Sequence, residues 1–126
     1  MKLAENRLSA SARGMVLTKA TLRAAERLGL SGRQLGDVLG LSEATISRMR
    51  SGSTPMAENS KPYQLAALLV RCFRSLDAIT GGDERVARSW LTAHNSALGG
   101  RPIDRIRTPQ GLVDVATYLD ARRATL

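Results

Sequence analysis

Apolar residues recur at helical rather than strand spacing along nearly the whole chain, and glycines, prolines and capping residues break the pattern into short runs. Leu17, Ala20, Ala24 and Leu28 mark one face of a helix from Met15 to Leu28, with Gly29 just past its last turn as a stop signal. Ahead of it, residues 1–14 are small and polar with weak periodicity, which predicts a mobile N-terminal arm or a loosely held first helix. Ser31-Gly32-Arg33-Gln34 reads as a capping box, the Ser31 hydroxyl meeting the Gln34 amide and the Gln34 side chain reaching back. The helix it opens ends at about Leu39, where Gly40 breaks it. Ser42 supplies a plain cap for a helix from about Glu43 to Arg50, since the residue three positions on is Thr45 rather than Glu or Gln.

Residues 52–60 have the composition of a loop and divide the chain into parts spanning 15–60 and 61–126. Ser60-Lys61-Pro62 opens a long helix, because proline fits a first turn. Leu65, Leu68, Leu69, Cys72, Phe73, Leu76 and Ile79 then follow as an amphipathic stripe, closed by Gly81-Gly82. Asp83 caps a shorter helix carrying Val86, Ala87, Trp90 and Leu91, and Gly99-Gly100 punctuates again. Pro102 to Ile106 looks like a short helical turn, and Thr108-Pro109 starts a last helix running to about Arg123. No stretch sustains strand alternation, so the fold class is predicted to be all-α.

The segment from Gly32 to Ser51 meets the constraints of a helix-turn-helix. Two short helices crossing steeply need a small residue at their closest approach and a residue tolerant of a left-handed backbone in the turn. Gly36 and Gly40 supply these, while Leu35, Leu39, Leu41, Ile46 and Met49 fill the apolar positions. The alternative is a helical hairpin that binds no DNA. In the helix-turn-helix reading the second helix enters the major groove. Setting aside the inward Ile46 and Met49 leaves Glu43, Ala44, Ser47 and Arg48 to face base edges. Arg48 is suited to a forked contact on guanine, Glu43 to a cytosine amino group and Ala44 to a thymine methyl. Glu43 is equally a first-turn acid favoured by the helix dipole. Ser42, Thr45 and the backbone amides at Gly32 and Arg33 would hold phosphates. One such helix reads only a few base pairs, so a homodimer on a two-fold-related operator is expected.

Composition adds a basic balance: 19 Lys and Arg against 11 Asp and Glu give +8, and 16 of the cations are Arg. That suits a polyanionic partner through counterion release. The excess is not confined to the helix-turn-helix, because residues 1–60 and 61–126 each carry +4. A single cysteine, Cys72, and a single histidine, His94, exclude an internal disulfide and metal sites built on cysteine or histidine pairs. The stripe around Cys72, with Phe73 and Trp90, reads as core, the thiol as buried and inert, and His94 as structural. The acids of the second part show no catalytic spacing, and its glycine pairs are helix stops rather than a phosphate cradle. No enzymatic activity and no cofactor are expected. The first residues hold no apolar leader segment. The longest apolar run, Leu65 to Val70, has six residues, against about 20 for a membrane span. A cytoplasmic protein is expected. On the last helix, Leu112, Val115, Ala116 and Leu119 should pack inward, while Asp114, Tyr118 and Arg122, joined by Arg123, form either a partner surface or a solvated face.

The run Trp90-Leu91, Asn95, Leu98-Gly99-Gly100-Arg101-Pro102-Ile103, Arg107-Thr108-Pro109-Gln110-Gly111-Leu112 and Tyr118-Leu119-Asp120 resembles the C-terminal domain of Xre-type (MbcA/ParS) antitoxins. Leu69-Val70-Arg71, Arg74-Ser75-Leu76-Asp77 and the preceding helix-turn-helix resemble the same family, so the likeness spans about residues 15–124. The resemblance implies a type II antitoxin whose helical C-terminal domain covers the active-site entrance of a RES-domain toxin that degrades NAD or transfers its ADP-ribose. It also implies that the helix-turn-helix represses the shared operon. Toxin contact carries over to Arg101, Arg105, Arg107, Tyr118, Arg122, Arg123 and the chain end at Leu126. Two other readings stay open: a stand-alone helix-turn-helix regulator whose second part dimerises or senses a ligand, and an inhibitor whose helix-turn-helix reads no DNA.

Overall fold

The computed structural model describes the backbone of residues 2–126 and the side chains of residues 12–126. The described chain is all-helical: α1 (Lys2–Leu28), α2 (Gly32–Leu39), α3 (Glu43–Arg50), α4 (Lys61–Ile79), α5 (Glu84–Thr92), α6 (Pro102–Arg105) and α7 (Pro109–Arg123). No helix among the described residues is long and apolar enough to cross a membrane.

The first helix starts at Lys2, well before the expected Met15. Weak periodicity does not break a helix, and residues 2–13 contain neither Gly nor Pro. Of the arm expected over residues 1–14, Met1 and the side chains of residues 2–11 lie outside the described set. Residues 13 and 14 are held by the loop after α3. Gly14 is buried against the Met56 carbonyl, and Arg13 pairs with Glu58 at 3.0 Å. The buried Thr18 hydroxyl donates to Gly14 O at 2.6 Å and accepts from Met56 N at 2.9 Å.

Serine caps start α2, α3 and α4 as their sequences predict. Ser31 and Gln34 form the reciprocal box, Ser42 accepts from Thr45 N and Ser60 from Tyr63 N. At Gly36 a Cβ would stand 2.5 Å from Leu41 O, so only glycine lets the backbone entering α3 come this close to α2. Leu35, Leu39 and Ile46 close the space between the two helices with essentially no exposure.

Helix α4 is the central element and packs against α1, α2, α5 and α7. Its buried residues are Ala66, Leu69, Val70, Cys72, Ser75 and Leu76, whereas Leu65, Leu68, Phe73 and Ile79 are only half-buried. The apolar stripe marks the helix correctly but misplaces its centre. With neighbours on several sides, small residues at the contacts matter more than large ones at the margin. Leu69 and Leu76 join Leu35 and Ile46 from the first part and Leu112 and Leu119 from the last helix in one core.

Polar links reinforce this union. Arg27 pairs with Asp77 at 3.2 Å and Glu84 at 3.1 Å and lies 5.0 Å from the Phe73 ring centre. Arg88 donates to the end carbonyls of α1, Glu26 O at 2.9 Å and Arg27 O at 3.1 Å, and so adds side-chain donors to a helix terminus where Gly29 N already reaches Glu26 O. Gly99-Gly100 is not a helix stop: α5 has ended at Thr92, and Asn95 and Gly100 exchange two backbone hydrogen bonds at 3.0 and 3.2 Å around a tight turn.

Candidate functional site

The expected DNA-reading residues gather around α3. Glu43, Ala44, Ser47 and Arg48 are exposed, and Ile46 and Met49 are buried on the opposite side. The Ser42 and Thr45 hydroxyls share a hydrogen bond at 2.9 Å, and Arg48 Nη2 donates to Thr45 Oγ1 at 3.1 Å. This row fixes Arg48 along the outer face of α3 while leaving most of its guanidinium donors available. It also engages the two hydroxyls assigned to phosphate. Ser51 and Ser53, not foreseen, both donate their hydroxyls to Arg48 O, at 2.8 and 3.0 Å, and secure the end of the helix.

Gly32 and Arg33 stand at the start of α2, beside α3. The Gly32 position faces Glu43 and Ile46, and Arg50 Nη1 lies 3.4 Å from where a Gly32 Cβ would be. A hollow of about 640 Å³ beside them is lined by Arg23, Glu26 and Arg50 among others. Among the described residues, Arg23, Arg33, Arg48 and Arg50 have no carboxylate within salt-bridge distance. An outward helix face flanked by four unneutralised guanidinium groups is suited to phosphates and base edges.

The residues carried over to toxin contact do not form one patch. Arg101 binds Asp104 through two hydrogen bonds, at 2.9 and 3.2 Å, which hold the Asp104 carboxyl below its ordinary pKa. Arg107 pairs with Asp37 of α2 at 3.0 Å and so ties the α6–α7 turn to the helix-turn-helix. Arg105 pairs with Asp114 at 2.8 Å, and Gln110 Nε2 donates to the other oxygen of that carboxylate at 2.9 Å.

Tyr118 and Arg122 do come together. The Tyr118 ring stacks on Trp90 with centroids 6.1 Å apart and planes at 21°, and Arg122 lies 5.6 Å from the Tyr118 ring centre. Trp90, expected in the core, is only half-buried and joins α5 to this face of α7. A recess of about 330 Å³ beside it is lined by Leu98, Arg105, Asp114, Thr117 and Tyr118, among others. Large aromatic faces beside arginine are the composition of interaction hot spots. Trp90 was legible as a candidate through its rarity, one Trp in the chain, and through its place in the run that resembles the antitoxin C-terminal domain. Arg123, expected on the same face, borders a different hollow, between α1 and α4. Leu126 is 76% exposed at the chain end.

Cys72 is buried, and desolvation pushes its thiol up to about 12, with Asp120 adding to the shift. A thiol held protonated in this way is a packing group and not a nucleophile. His94 is exposed just after α5.

Two family models match, one in each part of the chain. Residues 7–55 match the antitoxin Xre-like helix-turn-helix domain, and residues 75–124 match the antitoxin Xre/MbcA/ParS C-terminal toxin-binding domain. No curated protein matches the chain. Among solved structures, a chain of the crystal structure of the M. tuberculosis MbcT-MbcA toxin-antitoxin complex is similar. Its identity is 26% and its TM-score 0.65, with 88% of this chain and 96% of that chain covered.

Proposed function

We propose, from the premise that the chain belongs to the Xre/MbcA/ParS antitoxins through both of its parts, that it neutralises a RES-domain toxin by covering that enzyme's active-site entrance. The toxin would consume NAD or transfer its ADP-ribose, and the antitoxin would act by steric occlusion, without catalysis of its own. The observation that carries this reading is the Trp90–Tyr118–Arg122 face, which lies within the residues matching the toxin-binding domain. Aromatic area held rigid by stacking loses little conformational entropy on binding, and Arg122 adds a directional charge. The likeness to a chain of a toxin–antitoxin complex supports a toxin partner. The unneutralised arginines around α3 support DNA contact, through which the chain would repress the shared operon in the cytoplasm. Because one such helix reads only a few base pairs, the DNA-bound form would be a homodimer on a two-fold operator.

Co-expression with the product of the adjacent gene, which the reading requires to be a RES-domain protein, tests it. The wild-type chain should relieve toxicity and co-purify with the toxin. Tyr118→Ala with Arg122→Ala should lose both properties while retaining the helical circular dichroism of the wild type. A chain ending at Asp120 should fold and bind operator DNA yet fail to neutralise. Full neutralisation by both variants would move the toxin contact away from this end of α7, and a wild-type chain that binds DNA but no toxin would leave a stand-alone regulator.

A further inference from the structure

The hollow between α1 and α4 lies apart from both surfaces described above. It encloses about 680 Å³ and its floor is apolar, built from Val16, Leu17 and Ala20 of α1 with Ala67 and Val70 of α4. Val16 is 68% exposed and faces this hollow. Ala12, Val16 and Ala20 succeed one another at four-residue steps, so α1 presents a continuous apolar row along the hollow. Such a trough, between two helices and floored by small residues, admits a third helix in ordinary side-by-side packing.

Charge decides what that helix must be. Four arginines border the floor: Arg13, Arg71, Arg74 and Arg123. Arg13 and Arg71 are paired, with Glu58 and Asp120. Arg74 and Arg123 have no carboxylate within salt-bridge distance among the described residues. A second copy docking here would bring another set of arginines to the same rim, and the two carboxylates nearby are already engaged. A nucleic acid would find phosphate partners at the rim but would lay them over a floor of methyl groups.

We infer that the α1–α4 trough is a docking site for an acidic amphipathic helix of a partner protein, its apolar face seated on Val16, Ala20 and Ala67 and its carboxylates on Arg74 and Arg123. The mode is helix-in-groove recognition, with apolar anchors supplying affinity and the arginine rim selecting the sign of charge. The site is independent of the Trp90–Tyr118–Arg122 face. The adjacent Arg122 and Arg123 point to different surfaces, so α7 contributes to both through successive residues.

The probe is a helical peptide of about 15 residues, roughly four turns, with leucine and alanine on one face and glutamate on the other. It is titrated into the ¹⁵N-labelled full chain and followed by amide chemical shifts. Shifts should cluster at residues 12–20, 67–74 and 123, and a peptide with the same apolar face and lysine for glutamate should bind at least about tenfold more weakly. Val16→Asp should abolish binding. Arg74→Glu should weaken it about fivefold or more, the equivalent of an exposed ion pair lost and reversed. Both substitutions are at exposed positions, so melting temperatures should match the wild type. The proposal is overturned by absent shifts, by shifts elsewhere, or by equal binding of the two peptides. It is overturned too if sedimentation shows Val16→Asp converting a free dimer into monomers, which would assign the trough to a second copy.

Discussion

Asp120 closes α7 onto α4, and its replacement tests how that clasp works. Ser75 Oγ donates to Asp120 Oδ1 at 2.9 Å, and Arg71 pairs with the other oxygen. Ser75 is 0% exposed, so Asp120→Ala leaves a buried hydroxyl without its acceptor, at a cost of about 1–3 kcal/mol. The Arg71 pair is partly solvated and adds about 0.2–1 kcal/mol. The expected loss is therefore about 2 kcal/mol, a fall in urea midpoint of about 1 M at a typical slope for a small protein. Asp120→Asn keeps an oxygen for Ser75 and loses only the ion pair, so it should cost about 0.5 kcal/mol. Adding Ser75→Ala should recover part of the Asp120→Ala deficit but none of the Asp120→Asn deficit. Acidity supplies an independent check. Partial desolvation raises the Asp120 pKa, but hydrogen bonds from Arg71 and Ser75 and the nearby arginine charges outweigh it, so the carboxyl sits below its ordinary value. A depressed carboxyl pKa contributes stability that is present above the unfolded value, about 3.9, and is lost as pH falls through the folded one. The gap between wild type and Asp120→Asn should thus close below about pH 4. Equal destabilisation by Ala and Asn, or a gap unchanged in acid, would refute the clasp.

Other expectations rest on single contacts. In Gly111→Ala the new methyl meets the Arg105 carbonyl oxygen where α6 abuts α7; overpacking of about 1–3 kcal/mol should exceed the helix-propensity gain of about 1 kcal/mol, and an unchanged melting temperature would show that α6 yields freely. Arg48→Ala should weaken binding to DNA from upstream of the reading frame by about 1–3 kcal/mol without affecting toxin inhibition, as measured by fluorescence anisotropy; equal affinity would remove Arg48 from the reading set. Cys72 should resist a thiol-specific reagent in the native state and react fully in denaturant, whereas prompt labelling would place the thiol at the surface.

What the sequence made legible was what short-range chemistry determines. Each cap satisfies amides within three residues of itself, so Ser31, Ser42, Ser60, Asp83 and Thr108 all mark helix starts that the structure contains. The small residue at Gly36 could be placed because the helix-turn-helix fixes its offset from Gly40 and Ile46. The partners of the C-terminal arginines could not. Arg107 meets Asp37 across the fold, and Arg105 meets Asp114 only because α6 and α7 fold back on each other. Both ion pairs depend on tertiary geometry that leaves no periodic trace. Trp90 was missed for a related reason: helical spacing places it beside the buried Ala87 and Leu91, yet the neighbouring Tyr118 face leaves it half-open.

The even division of charge, +4 in each part, conceals an uneven use of it. In the second part Arg71, Arg88, Arg101, Arg105 and Arg107 are within 4.0 Å of Asp120, Glu84, Asp104, Asp114 and Asp37, and only Arg74, Arg85, Arg122 and Arg123 among its arginines have no such partner among the described residues. Around the helix-turn-helix, Arg23, Arg33, Arg48 and Arg50 have no such partner among the described residues. An arginine already opposite a carboxylate gains little from a phosphate, while an unpaired one displaces a condensed counterion. Each phosphate neutralised contributes about −0.9 to the slope of log affinity against log salt. Four engaged arginines therefore predict a slope of about −3.6 per protomer. Replacing any one of Arg23, Arg33 or Arg50 with Ala should reduce the slope by about one, and Arg71→Ala should leave it unchanged. A wild-type slope near −1 would mean that the helix-turn-helix touches DNA through a single cation, and the positive face around α3 would then have to be explained by some other ligand.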